Sequence, residues 1–296
     1  MRVAGKINLA LRVGGVREDG YHPLATVFQA VSLYDEVGVR AAPAGIFEVS
    51  VSGDQADRVP LGEENLAVKA ARKLAAEFGV AQDQGVSIAI RKAIPVTGGM
   101  AGGSADAAAA LLACSVLWDL DTPPDELREL GSALGADVPF ALTGGSALGT
   151  GRGDELVPVL SRGTYHWVLA FSHGELATPA VFGKFDELGV VDEPLDVPAG
   201  LLNALASGDA VALGRHLVND LQPPALALRP QLGQVLEAGR ELGALGAVVS
   251  GSGPTCAFLA ANESAAVDLS VKLSSEGICR AVRRVAGPVP GARLIA

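Results

Sequence analysis

Pro95-Val-Thr-Gly-Gly-Met-Ala-Gly-Gly-Ser-Ala105 places four glycines within six residues and runs straight into an Ala/Leu-rich stretch ending near Trp118. Glycine accepts positive φ and lets a ligand approach the backbone with no Cβ in the way. The stretch after it is predicted helical from Ser104. Its first turn would then offer unpaired N–H groups and the positive end of the helix dipole, which together suit a phosphate. The plainer reading is a flexible turn capped by Ser104. A strand-like run before the loop (Val86–Arg91) and a long helix after it favour the phosphate. The loop is not GxxxxGK[ST], and it is not GxGxxG, because Met100 stands where the second glycine belongs.

On either side of this loop the pattern mixes β and α. Val3–Val13, Ala30–Arg40 and Ile46–Val51 read as strands, with turn signals at Gly14-Gly15 and Asp19-Gly20. Leu66, Ala70, Leu74 and Phe78 recur every fourth residue, predicting a helix opened by Asn65 and stopped by Gly79. A helix is expected over Pro123–Ala133, with Thr122 as N-cap and Pro123 at the first helical position. Strands follow at Ser146–Gly149, Glu155–Val159 and His166–Phe171. Helices come next, around Pro179–Leu188, Leu201–Ala206, Ala210–Leu217 and Gln231–Leu242. The chain closes as strand (Ala247–Ser250), turn, strand (Thr255–Leu259), helix (Ser264–Ser275) and strand (Cys279–Val285), an α+β order. A length of 296 residues suggests about two domains. The break at Pro158–Gly163 divides them into 1–160 and 161–296.

Two charges stand out. Lys6 interrupts an otherwise apolar strand, and lysine is almost never fully buried without a partner. Asp137, in Leu134-Gly-Ala-Asp-Val-Pro-Phe140, is read at a helix-to-strand transition, where a carboxylate can turn into a cleft. A capping or turn aspartate is the other reading. A buried Lys6–Asp137 pair would satisfy both charges and keep Asp137 ionised beside an attacking hydroxyl, as phosphoryl transfer prefers. Two more glycine clusters remain. Ser250-Gly-Ser-Gly-Pro254 lies between apolar runs and by itself would be a tight hairpin. Gly149-Thr-Gly-Arg-Gly153 has no helix after it and reads as a strand connection.

Composition narrows the function classes. Hydrophobic residues make up 49% and charged residues 19%, enough for packed cores and against disorder. The net charge of −10 and the aromatic content of 4% argue against a nucleic-acid partner or an anionic-membrane surface. Cys114, Cys256 and Cys279 have no metal spacing, and an odd count fits a reducing cytoplasm. Leu242–Asn262 is uncharged and long enough to span a bilayer. Gly243, Gly246, Gly251, Gly253 and Pro254 break it, so it is read as two strands around a turn. MRVAGKINLALRV at the N-terminus shows no apolar core with a cleavage site. The expectation is a soluble cytoplasmic protein without membrane or nucleic-acid partners. With no heptads and no obvious apolar stripe, monomer and weak homodimer are both open.

Ala4-Gly-Lys-Ile-Asn-Leu9, Asp19-Gly-Tyr-His22, the 95–105 loop, Leu134–Pro139 and Val249-Ser-Gly-Ser-Gly-Pro254 occur in the order found in the GHMP kinases. The chain resembles that family over nearly its whole length. The resemblance implies an N-terminal ribosomal-protein-S5-like domain and a C-terminal ferredoxin-like α+β domain, with the site between them. It implies ATP and Mg²⁺ as cofactors and Lys6 with Asp137 as the catalytic pair. Pro95, Val96, Thr97, Gly98, Gly99, Met100, Ala101, Gly102, Gly103, Ser104 and Ala105 match the ATP-phosphate loop, and Asn65-Leu66 the adenine pocket. Lys-Ile-Asn together with Gly-Tyr-His resembles the branch of the family serving non-mevalonate isoprenoid synthesis. Its acceptor is a small CDP-linked polyol, phosphorylated on a hydroxyl of the methylerythritol portion. Asn8, Tyr21 and His22 then match substrate contacts, and Phe182 the aromatic that sandwiches cytosine against Tyr21. Gly251 and Gly253 match a glycine motif that shapes the cleft floor. Two other readings share the loop: a kinase of mevalonate, homoserine or a sugar, and a non-catalytic nucleotide-binding homologue. The sequence departs from the family pattern with Ala4-Gly5 for Pro-Ala and Met100-Ala101 for Leu-Gly. Ala105 replaces the second serine of a Ser-Ser pair, leaving the Ser104 hydroxyl there.

Overall fold

The computed structural model describes residues 1–18, 20–80, 83–189 and 195–295, so Asp19 lies outside the described residues. Its first part runs β1 (Arg2–Val13), β2 (Leu24–Ala42), β3 (Phe47–Gly53), α1 (Leu66–Glu77), β4 (Gly85–Lys92), α2 (Gly102–Leu117), α3 (Pro124–Ser132), α4 (Val138–Thr143), β5 (Ser146–Thr150) and β6 (Glu155–Pro158). The second runs β7 (Tyr165–Phe171), α5 (Thr178–Glu187), α6 (Ala199–Ser207), α7 (Ala210–Arg215), β8 (Val218–Asn219), α8 (Gln222–Leu228), α9 (Gln231–Glu241), β9 (Gly246–Val249), β10 (Cys256–Ala260), α10 (Glu263–Ser275) and β11 (Ala281–Gly287).

Among the described residues, β1–β6 and β8 form one sheet, ordered β3-β4-β2-β1-β8, with β5 joined to β2 and β6 to β5. The other sheet, β11-β7-β10-β9, is antiparallel throughout. β8 lies among the helices of the second part, yet it pairs parallel with β1 through Ala10↔Val218 and Leu11↔Asn219. α2 is apolar on nearly every face, as a helix enclosed by its neighbours must be. Ala105 and Ala107–Leu111 are all buried, packed against α1, α4, β1 and β2.

Several local expectations shift. α2 begins at Gly102, not Ser104, because Ala101 at φ 60 turns the chain into the helix before the two glycines. Thr122 is not the cap of α3: Pro123 is, and Pro124 takes the first helical position. The residue before a proline is pushed out of the α region, so Pro123 stays extended and the helix starts one residue later. The Thr122 hydroxyl instead accepts a hydrogen bond from Ser115 Oγ at 2.9 Å. Asp137 joins two helices, α3 and α4, with no strand after it until β5. At six residues α4 is too short for hydrophobic periodicity to reveal.

Candidate active site

Residues two apart on a strand face the same way, and β1 uses this to send Lys6 and Asn8 into one cleft. The Lys6 ammonium, 7% exposed, donates to Asn8 Oδ1 at 2.7 Å. Asn8 Nδ2 donates to Thr26 Oγ1 at 2.8 Å, and that hydroxyl donates to the Ala10 carbonyl at 2.7 Å. The Phe28 ring backs the ammonium, with Nζ 5.2 Å from its centroid. Burial pushes the Lys6 pKa down, and the Asp137 charge opposes that shift.

Asp137 Oδ1 lies 3.8 Å from Lys6 Nζ, an ion pair beyond hydrogen-bond length. Only the lysine half is buried, since about a third of the Asp137 side chain is exposed in the cleft. Asp137 holds the N-cap position of α4, but its carboxylate makes no capping bond. The capping role weighed from the sequence is therefore not the one its side chain takes.

The glycine loop forms a further part of the lining. Ala101 offers no side-chain cap to α2, so the first-turn amides face the cleft without one. Lys6 N–H donates to the Met100 carbonyl at 3.2 Å, and Val96 N–H to Gln55 Oε1 at 3.0 Å. Gly99, at φ +73, must be glycine: a Cβ there would stand 2.0 Å from the Ser250 carbonyl oxygen. Ser250 Oγ in turn donates to the Gly99 carbonyl at 3.0 Å. Thr97, Gly98, Gly99 and the run Ala101–Ser104 line the cleft, as does Leu66. Met100 and Ala105 are buried in the core instead, and neither Pro95 nor Val96 is in the lining. Asn65 spends its side chain on capping α1, accepting from Ala67 N–H at 2.9 Å and donating to the Pro60 carbonyl at 2.7 Å. Two departures from the family pattern meet in space: Met100 Cε lies 3.4 Å from where a Cβ on Gly5 would be.

Tyr21, His22 and Phe182 come together at another part of the cleft. The His22 ring sits 5.1 Å from Phe182 and edge-on to Phe185. His22 Nδ1 is 2.7 Å from the Gly14 carbonyl, and Nε2 is 3.5 Å from Asp186 Oδ1. Tyr21 remains 56% exposed, leaving ring area to meet a ligand.

The second glycine turn joins the same cleft. A Cβ on Gly251, at φ +55, would lie 3.1 Å from the Gly99 carbonyl, 3.4 Å from Asn8 Oδ1 and 3.5 Å from Lys6 Nζ. Gly253 faces Val249 and Leu176, away from that lining. Gly251→Val is therefore expected to lower kcat/KM by about 10²-fold, the scale of a small misplacement of reacting groups. Both kcat/KM and stability are to be measured where the variant is fully folded. A normal kcat/KM there, with only a reduced melting temperature, would make the turn purely structural.

Sequence reasoning missed two features. Asn219 on β8 holds the second turn, donating to the carbonyls of Val249 at 2.7 Å and Gly251 at 2.8 Å. A buried ionic cluster roots the glycine loop. Lys92, at the end of β4, bonds to Asp35 on β2 and, at 2.7 Å, to Asp106 on α2. Asp35 Oδ1 also accepts the N–H groups of Ala93 (2.6 Å) and Ile94 (2.9 Å), where the loop departs. All three side chains are at most 5% exposed. The signal was an acid at position 106 inside an alanine run, where nothing solvent-facing was expected.

Comparison with known proteins gives consistent matches. The family model described as "GHMP kinases N terminal domain" matches residues 65–145, and "GHMP kinases C terminal" matches 201–279. The 4-diphosphocytidyl-2-C-methyl-D-erythritol kinase of Mycobacterium avium (strain 104) is 54% identical over 100% of this chain and 93% of its own length. The protein of that name from Mycobacterium tuberculosis (strain ATCC 25618 / H37Rv) is also 54% identical, over 100% and 92%. A crystal structure of 4-(cytidine 5'-diphospho)-2C-methyl-D-erythritol kinase superposes with a TM-score of 0.78 at 34% identity, covering 97% of this chain and 98% of that one. A homoserine kinase from Cytophaga hutchinsonii, at 21% identity and a TM-score of 0.74 over 99% of this chain and 95% of its own, shares the fold.

Proposed function

The chain belongs to the GHMP kinase family and has its two-domain α+β fold, and on that premise we propose that it is the kinase that transfers a phosphoryl group from ATP to the 2-hydroxyl of 4-diphosphocytidyl-2-C-methyl-D-erythritol. The observation that carries this reading is one cleft lined by Lys6 and Asp137, the glycine loop, and Tyr21 with His22 and Phe182. A phosphate wall, an acid–base pair and an aromatic clamp are the three parts such a transfer needs.

Asp137, open to the cleft and unspent on capping, takes or orients the proton of the acceptor hydroxyl. Lys6, 3.8 Å from that carboxylate, lends positive charge to the transferring group. The amides of Gly102, Gly103 and Ser104 hold the phosphates of ATP at the head of α2. Mg²⁺ brought in with the nucleotide would offset the phosphate charge. It keeps several waters and needs few protein donors, and the Ser104 hydroxyl in the cleft lining is the oxygen that would hold it. Tyr21 and Phe182 sandwich the cytosine, and His22 is fixed beside them by the Gly14 carbonyl. A division near residue 160 accords with the change of sheet between β6 and β7, with β8 as the element that crosses it. No helix among the described residues is long and apolar enough to cross a membrane. The reading includes a cytoplasmic monomer or weak homodimer.

Turnover of the CDP-linked methylerythritol, mevalonate, homoserine and galactose by the purified protein tests this assignment. Phosphorylation confined to the CDP-linked acceptor is expected. Faster turnover of any of the others would replace the assignment, and ATP binding with no ADP release across the panel would make the protein a binder.

A further inference from the structure

The Gly149–Gly153 cluster is the strand connection its sequence predicts, and it also builds part of the cleft. It is the turn between β5 and β6, tied to the start of β2 by Leu24 N–H donating to the Gly151 carbonyl at 2.8 Å. Gly151 and Gly153 both take positive φ, at 66° and 96°, and a Cβ on Gly149 would stand 2.8 Å from the Gly153 carbonyl. Arg152, the one large side chain of this tight turn, lines the cleft. Its guanidinium carbon sits 5.8 Å from the centroid of the Tyr21 ring, within cation–π range. Its position is set from behind. Nη2 donates to Asp154 Oδ2 at 2.7 Å and to the Ser132 carbonyl at 3.2 Å, while Ser132 Oγ donates to the same Asp154 oxygen at 2.6 Å. Both of Arg152's short bonds leave from Nη2, and the guanidinium fork has donors to spare.

The charges and the path of the cleft make Arg152 more than a prop for Tyr21. Among the described lining residues only Lys6 and Arg152 are cations that need no added proton. Lys6 faces Asp137 at the hydroxyl end. Arg152 stands beside Tyr21 at the base end. The cleft wall Ser132–Asp137 connects the two, beginning at the carbonyl that Arg152 holds and ending at the carboxylate. A molecule with its base on Tyr21 and its hydroxyl at Asp137 lays whatever joins them along that wall. In a nucleoside-diphosphate conjugate the joining group is the diphosphate, whose oxygens match a planar guanidinium fork.

We propose that Arg152 is a specificity-determining residue that selects acceptors carrying a nucleoside diphosphate, by pairing with the diphosphate while bracing Tyr21. The inference rests on the acceptor class assigned above, and its test separates the two. Wild-type turnover on the substrate panel decides the acceptor class. Binding of CDP and of cytidine to wild-type and Arg152→Gln, by calorimetric or NMR titration, decides the role of Arg152. Gln keeps a polar side chain near Asp154 but carries no charge. Losing a charge-assisted fork is expected to weaken CDP by about tenfold or more and to raise the KM of the CDP-linked acceptor in parallel. Cytidine, which has no diphosphate, should weaken less than CDP, and the KM for ATP should stay within about twofold, which a general loosening of the fold would not allow. Unchanged CDP binding, or equal losses for CDP and cytidine, would overturn the proposal. If Arg152→Gln does not fold, Arg152→Lys is titrated with the same two ligands: CDP weakened more than cytidine supports the role, and any other result overturns it.

Discussion

Asp137→Ala is expected to lower kcat by about 10²–10⁴, the range for losing a positioned acid–base group. The geometry makes this a kinetic lesion more than a structural one. The carboxylate is about a third exposed, caps no helix, and stands 3.8 Å from its lysine partner. Its removal leaves Lys6 with burial lowering its pKa and no carboxylate to oppose it. The Lys6 ammonium still has Asn8 Oδ1 at 2.7 Å, so the strand should hold. The KM for ATP should change little, because the loop amides do not depend on Asp137. Asp137→Asn, which keeps the shape and loses the base, should resemble the alanine variant in kcat. A folded Asp137→Ala enzyme with wild-type turnover would remove Asp137 from the mechanism.

Lys92→Met should cost about 3–5 kcal/mol of stability, the penalty for breaking a buried ion pair from one side. It would strand Asp35 and Asp106 together in the core, both almost without solvent contact. Their environment is already hostile to a second negative charge. Burial, reinforced by the nearby Asp35, pushes the Asp106 carboxyl up to about 8 against the pull of Lys92. Asp106 Oδ1 also has no hydrogen-bond partner within the described protein. Asp106→Asn alone should therefore cost far less than Lys92→Met, and the double variant should recover much of the loss. Urea midpoints of the three variants measure this at one pH. A Lys92→Met midpoint close to wild type would show that the cluster contributes little to stability.

The sequence made some parts of this site readable and hid others for physical reasons. Lys6 announced itself because a charge in an apolar strand has few innocent explanations. The glycine loop did so because its spacing between a strand and a helix is uncommon. Lys92 gave no such signal: it follows Arg91 at a strand end, where basic residues are ordinary. Asp35 stands beside Glu36, which faces Arg2 and Arg91 near the surface, and only tertiary packing separates the two acids. α4 and α8, of six and seven residues, each carry proline in the first turn, so what remains is too short to show a 3.6-residue period. The pairing of β8 with β1 was equally invisible, because two residues carry no strand pattern.

That short pairing bears on how the chain reaches its native state. The outer edge of β1 is closed in pieces: Lys6 N–H by the Met100 carbonyl, Ala10 and Leu11 by Val218 and Asn219, Val13 N–H by the Asp220 carboxylate. Arg12 and Asp220 meet across 208 positions of chain. Contacts that distant require loop-closure entropy to be met before any bond is gained, so they belong to the slow part of folding. On a ribosome, the sheet that bears Lys6 would be complete everywhere except along this edge until residue 220 had emerged. An open strand edge is a template for another chain's backbone, and during synthesis the enzyme would carry that hazard along Ala10–Val13, on the strand that bears Lys6.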